Sequence, residues 1–304
     1  MTNFTEHALL SFCSNSEVLN LSNQNVRDED LIDVINFLIS HPQIKTVNLS
    51  QNQIGAAGAK GFALHNTTAT LVDLSWNRIG DVGAKDFALY NRITTAVDLS
   101  FNQIGNDGAK DFALHNKTAT TVYLIGNQIG AVGAKDFAEH NTVATTVSLS
   151  GNLIGAVGAK DFALHNRTVT TVDLSLNKIG DEGAKGFALY NRTTTAVDLR
   201  VNQIGDVGMK ALVSNLFLQK IEARGNYKLT RVGYLALNEK NPRKRACYGR
   251  EVGLPSDVPS LLRLSIFSLK EKLIGDNQSQ LRSFNKGDLQ GLEDLVPLLN
   301  SNKI

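Results

Sequence analysis

Four histidines, His65, His115, His140 and His165, fall at one position of a 25-residue spacing. Imidazoles in register are candidate metal ligands. Here no cysteine or carboxylate recurs beside them at ligand spacing. Rings one or two copies apart are also too distant to share an ion. A second series, Lys60, Lys85, Lys110, Lys135, Lys160, Lys185 and Lys210, would form a basic track for phosphates or nucleic acid. Asp86, Asp111, Asp136 and Asp161 follow it directly and largely neutralise it. The recurring Ile-Gly-x-x-Gly-Ala never continues into the Lys-Ser/Thr that completes a phosphate loop. No nucleophile, base and acid converge. These residues therefore imply no catalytic site, no metal and no cofactor, and no nucleic-acid partner. A binding surface is the remaining reading.

The spacing itself is the stronger signal. Asn52, Asn77, Asn102, Asn127, Asn152, Asn177 and Asn202 recur every 25 residues, and the segments around them are nearly identical. A fixed period of this size marks a solenoid. Within one unit, Val72 and Leu74 alternate as one face of a short strand. Asn77 then turns the chain, its amide able both to donate and to accept. Ile79 returns to the core, and Gly80 and Gly83 give the freedom a tight helix start needs. Residues 84–89 are predicted helical for about two turns, with Ala84, Phe87 and Ala88 on one apolar face. Stacked asparagines would form a ladder, each bonding its own turn and the next.

The pattern Leu/Val-x-Leu-x-x-Asn-x-Ile/Leu followed by a helix resembles the leucine-rich repeat, in the ribonuclease-inhibitor or NOD-receptor subclass. The resemblance implies an α/β horseshoe solenoid, with parallel strands on the concave face, helices on the convex face and a helical C-terminal cap. Three segments are expected: an N-terminal cap and irregular repeat over 1–43, regular repeats over 44–226, and a basic linker with a helical tail over 227–304. The family's first leucine is replaced by Ala69, Thr94, Ala119, Ala144 and Thr194, which predicts a lightly packed layer.

The same resemblance turns three strand columns toward the concave side. The first runs Asn48, Asp73, Asp98, Tyr123, Ser148, Asp173, Asp198. The second runs Ser50, Ser75, Ser100, Ile125, Ser150, Ser175, Arg200, and the third Gln51, Trp76, Phe101, Gly126, Gly151, Leu176, Val201. Variation concentrates here, and the single tryptophan of the chain is here. The expected interface comprises Asp73, Trp76, Asp98, Phe101, Tyr123, Ile125, Asp173, Leu176, Asp198 and Arg200. Its aromatics are expected to be exposed and ringed by carboxylates, as in interface hot spots. A partner with basic groups at both ends and an apolar centre would fit. The opposing reading is drift among duplicated units.

Two cysteines, Cys13 and Cys247, imply no disulfide framework. Met1–Cys13 carries no secretory signal pattern, and no stretch reaches transmembrane length. The triplets at Asn66, Asn116, Asn166 and Asn191 are read as products of duplication, not glycan acceptors. Charge divides the chain. Residues 1–220 hold 17 basic against 20 acidic side chains, while residues 221–304 hold 14 against 9.

Beyond the repeats, Ser260–Leu273 reads as an apolar helix. Leu261, Leu264, Ser265 and Leu269 share a face and resemble the elongin-C-binding box of suppressor-of-cytokine-signalling-box proteins, with Ser265 in place of its cysteine. That resemblance implies a ubiquitin-ligase substrate receptor recruiting elongin C through residues 258–273. The same helix also reads as the cap of the array. Near-identical repeats with a helical tail further resemble the leucine-rich-repeat effectors of intracellular bacteria such as Legionella. That resemblance implies a monomeric, non-enzymatic binder of a host protein, delivered to the host cytosol without a signal peptide. A cytoplasmic protein and an inhibitor of a host enzyme are the alternatives.

Overall fold

The computed structural model describes residues 4–233. Among them the strands are Cys13–Asn15 (β1), Val18–Asn20 (β2), Thr46–Asn48 (β3), Leu71–Asp73 (β4), Ala96–Asp98 (β5), Thr121–Tyr123 (β6), Thr146–Ser148 (β7), Thr171–Asp173 (β8), Ala196–Asp198 (β9) and Lys220–Glu222 (β10). The helices are Glu6–Ser11 (α1), Leu31–Ser40 (α2), Ala56–His65 (α3), Gly80–Tyr90 (α4), Asn106–His115 (α5), Ala131–His140 (α6), Gly155–His165 (α7), Gly180–Tyr190 (α8) and Asp206–Ser214 (α9). The strands form one sheet in sequence order. From β2 onward every pair is parallel, with Val72 opposite Val97 and Val97 opposite Val122. Only β1 runs antiparallel, closing the N-terminal edge beside β2. One repeat therefore advances the sheet by one strand, and equivalent residues stand in columns about 4.8 Å apart.

The core lies between strands and helices. Val72, Leu74, Ile79, Ala84, Phe87 and Ala88 are all buried, and so are their counterparts. The helical phenylalanines Phe62, Phe87, Phe112, Phe137, Phe162 and Phe187 are completely buried. Each such ring stabilises the fold by roughly 1.5–3 kcal/mol over an exposed one. Alanines on either side of it let adjacent helices approach. Gly83 serves the same end: a Cβ there would lie 2.9 Å from Ala56 Cα on the preceding helix. That glycine sits inside α4, so the helix runs eleven residues, longer than the two turns read from residues 84–89.

The asparagine ladder is present, with its direction reversed from expectation. Asn77 Nδ2 donates to Leu49 O of the preceding repeat at 2.9 Å and to its own Leu74 O at 3.0 Å. Its Oδ1 accepts the Ile54 N–H, again from the preceding repeat. Asn127 Oδ1 likewise accepts from Asn102 and Ile104. Each amide thus binds its own turn and the turn before it. The reason is position: the preceding repeat ends its strand with a free carbonyl and restarts with a free N–H, both facing the next asparagine.

A second ladder went unread in the sequence. Asn66, Asn91, Asn116, Asn141, Asn166 and Asn191 close the helices and are buried. Asn91 Nδ2 donates to Thr94 O, and its Oδ1 accepts the Thr94 N–H. Thr94 Oγ1 then links to Ala69 O and accepts from Asn66 Nδ2. The asparagines bond the backbone of this layer of small residues, and Thr94 and Thr194 add side-chain links between repeats. Burial leaves these amides no room for a glycan.

The helix starts take two forms although the local sequence barely changes. Gly80, Gly155 and Gly180 adopt a left-handed φ of +60°, +62° and +62°. Their N–H groups donate to Asn102, Asn177 and Asn202 carbonyls of the following repeat. Gly55, Gly105, Gly130 and Gly205 instead stay extended and precede the helix. Their N–H groups are accepted by Asp28, Asp81, Asn106 and Asp181 of the preceding repeat. The residue 24 to 27 positions earlier decides. Where it is Asp or Asn, the side chain caps the next helix. Where it is Ala56, Ala131 or Ala156, no acceptor exists and the glycine turns over.

Candidate functional site

The residues expected to form an interface lie on the strand side of the sheet, and their chemistry differs from the expectation. Asp73, Asp98 and Tyr123 are 1%, 0% and 2% exposed, so they are not surface groups. Asp173 and Asp198 are half-buried. Alternation alone places these side chains away from the core. Neighbours one strand spacing away cover them, and each aspartate folds onto its own backbone. The Ser75 N–H donates to Asp73 Oδ1 at 2.9 Å, as Ser100 does to Asp98 and Ser175 to Asp173. Asn48 accepts from Ser50 in the same way. The Asn and Asp residues of this column form Asx turns, and Asp73 and Asp98 present no carboxylate to a partner.

Burial raises the Asp73 carboxyl to about 7, and the adjacent Asp98 adds to the rise. Asp198 is pushed up to about 6 by burial and by Asp173, against the opposing pull of Arg200. The Tyr123 hydroxyl is buried without a hydrogen-bond partner among the described residues, and burial together with Asp98 holds its proton on.

Trp76, Phe101, Ile125, Leu176 and Arg200 are half-exposed on this side. Trp76 and Phe101 lie 25 residues apart in sequence and stack face to face, with centroids 4.2 Å apart and planes within 14°. Their backbone is unusual. The whole column before the asparagine ladder is left-handed: φ is +60° at Gln51, +57° at Trp76, +56° at Phe101, +59° at Leu176 and +53° at Val201. Gly126, Gly151 and Gly225 occupy the same turn with no penalty. A bulky residue there costs roughly 1–2 kcal/mol, and non-glycine residues held in this region cluster at functional sites.

At the far end, Arg200 Nε lies 2.7 Å from Asp198 Oδ2, and Arg224 Nε lies 3.1 Å from Glu222 Oε1. The guanidinium side chains are 39% and 43% exposed, their acidic partners 13% and 14%. Lys220 beside them is exposed. Arg224 and Lys220 went unnoticed in the sequence because the last strand departs from the repeat.

The helix side holds mixed charge. Lys60 pairs with Asp86 and Lys85 with Asp111 across repeats, while Lys135 reaches Glu139. His140 and His165 bond through Nδ1 to Asp136 O and Asp161 O, closing their own helices. Leu261, Leu264, Ser265 and Leu269 lie outside the described residues. Among the described residues no helix is long and apolar enough to cross a membrane.

The Leucine Rich repeat family model matches residues 41–63, 65–88, 95–113, 165–188 and 190–213. Together with the parallel sheet and its alternating helices, this makes the matched segments leucine-rich repeats and the described residues an α/β leucine-rich-repeat solenoid. A chain in the crystal structure of the Rad7 and Elc1 complex in yeast is similar at 12% identity, over 80% of this chain and 75% of that one, with a TM-score of 0.38. No curated protein matches.

Proposed function

We propose that the protein is a non-enzymatic protein-binding module acting through the strand side of its repeats. The observation that carries this reading is the Trp76–Phe101 stack on left-handed turns. The fold accepts glycine there, so two large rings in strained positions are better explained by contact with a partner than by packing. Repeats of this kind supply an interaction surface, and the half-exposed Ile125 and Leu176 extend it. On the sequence resemblance we further assign the partner to a host cell and the protein to the delivered effectors.

The test is capture from host lysate followed by affinity measurement on whatever is captured. Trp76→Gly with Phe101→Gly should lose binding at least about tenfold. Lys85→Ala with Lys135→Ala, on the helix side, should retain it. The opposite pattern refutes the assignment of the face.

A further inference from the structure

The aromatic stack ends beside an opening. Phe101 leans toward the next repeat, where a Cβ on Gly126 would come within 2.7 Å of three of its ring atoms, so the ring lies over that glycine. Trp76 covers one face of the ring at stacking distance. Beyond Gly126 the column continues to Gly151. A Cβ on Gly151 would meet nothing closer than the Gly126 backbone at 3.6 Å. The next side chain in the column is Leu176. Gly151 is therefore bare backbone between the Phe101 ring, which covers Gly126, and the Leu176 isobutyl group. A planar side chain placed over Gly151 continues the stack.

Two strands further on, the outermost groups are cations. Arg200 and Arg224 pair with the half-buried Asp198 and Glu222, and Lys220 on the same strand as Glu222 is exposed. Two strand spacings are about 10 Å, which an extended chain covers in about three residues.

We propose that the strand side binds an extended segment of a partner protein carrying an aromatic residue followed, about three residues later, by carboxylates. The aromatic ring occupies the slot over Gly151 against Phe101, and the carboxylates meet Arg200 and Arg224. This rests on the reading of the strand side as the binding face and replaces the basic partner expected from the sequence, because Asp73 and Asp98 are buried, Asp173 is bonded to its own turn and Asp198 is paired with Arg200.

Trp76 is the only tryptophan in the chain, so its emission reports on the stack. The full chain is titrated with the peptide acetyl-Ser-Phe-Ser-Ser-Glu-Glu-Ser-amide. A saturable change in emission is expected. It should weaken at least about tenfold when alanine replaces the peptide's phenylalanine, and also when lysines replace its glutamates. Gly151→Leu fills the slot with a residue the same turn holds at Leu176, and should weaken binding as much. Phe101→Gly removes the wall while leaving a residue native to this turn, and should do the same. Arg200→Ala with Arg224→Ala should weaken binding and flatten its salt dependence. Circular dichroism confirms that each variant is folded. No saturable change up to millimolar peptide, equal binding by the lysine peptide, or indifference to both Gly151→Leu and Phe101→Gly overturns the proposal. If the peptide fails while a captured partner still depends on Trp76 and Phe101, the face stands and the acidic–aromatic chemistry falls. If the captured partner depends on the helix side instead, the underlying reading falls.

Discussion

Asp81 caps the helix of the repeat after its own: its Oδ1 accepts the Gly105 N–H at 2.6 Å. One repeat earlier the corresponding residue is Ala56, and Gly80 has turned to φ +60°. Asp81→Ala should therefore convert the Gly105 start to the left-handed form and cost about 1 kcal/mol. A double-mutant cycle in urea checks it. Gly105→Ala should be tolerated in the parent, where φ is −96°, and should cost about 1 kcal/mol more beside Asp81→Ala. Additive effects would disprove the switch.

The first ladder should be sensitive to the loss of either amide function. Asn127→Ala removes a donor to Leu99 O and an acceptor for Asn102 and Ile104. We expect a loss of about 1–3 kcal/mol. Asn127→Asp should fail as well, because a carboxylate accepts but cannot donate. Asn166→Ala tests the second ladder, whose amide bonds Val169 O and Thr194 Oγ1, and the loss should be similar. Thermal melts of the three variants are the measurement.

At the stack, stability and binding should part company. Phe101→Gly deletes a half-exposed ring and releases a left-handed turn at φ +56°. Its melting temperature should be unchanged or higher, since relief of roughly 1 kcal/mol of strain offsets the lost stacking. A pronounced loss of stability would mean the ring is structural packing, not a contact surface.

Asp73 should make stability depend on pH with a definite sign. Its folded carboxyl titrates at about 7, because burial and Asp98 disfavour the charge. An unfolded aspartate titrates at about 4. The folded chain thus holds a proton that the unfolded chain has released. The stabilisation is complete below about pH 4 and is lost as pH rises through about 7. Asp198, raised to about 6, acts in the same direction. Asp73→Asn keeps the Asx turn, as Asn48 shows at the same position. It should flatten this dependence and stabilise the protein by at least about 1 kcal/mol at pH 8. Chemical denaturation at pH 5 and pH 8 compares the two. Stability rising with pH in the parent, relative to the variant, would contradict the buried pair.

The 25-residue period, the strand face of Val72 and Leu74, and the Ala84, Phe87 and Ala88 helix face were all readable from the chain. Each rests on alternation or helical spacing among close neighbours, repeated often enough to exclude chance. The candidate face was found from its variation at Trp76, Phe101, Tyr123 and Ile125. Its chemistry was not readable. Alternation places Asp73 outside the core, yet only strands stacked in register show that Asn48 and Asp98 flank it and that burial has removed its charge from the surface. Trp76 and Phe101 are remote in sequence and meet because one turn leads each ring over the next repeat. Gly80 and Gly105 follow the same isoleucine and differ because Ala56 lies behind one and Asp81 behind the other. The repeat and its core are legible in the chain, since these depend on residues a few positions apart. What is buried, what is strained and what stays exposed follow from the three-dimensional stacking, because in a solenoid those depend on what the adjoining repeat supplies, 24 to 28 residues away.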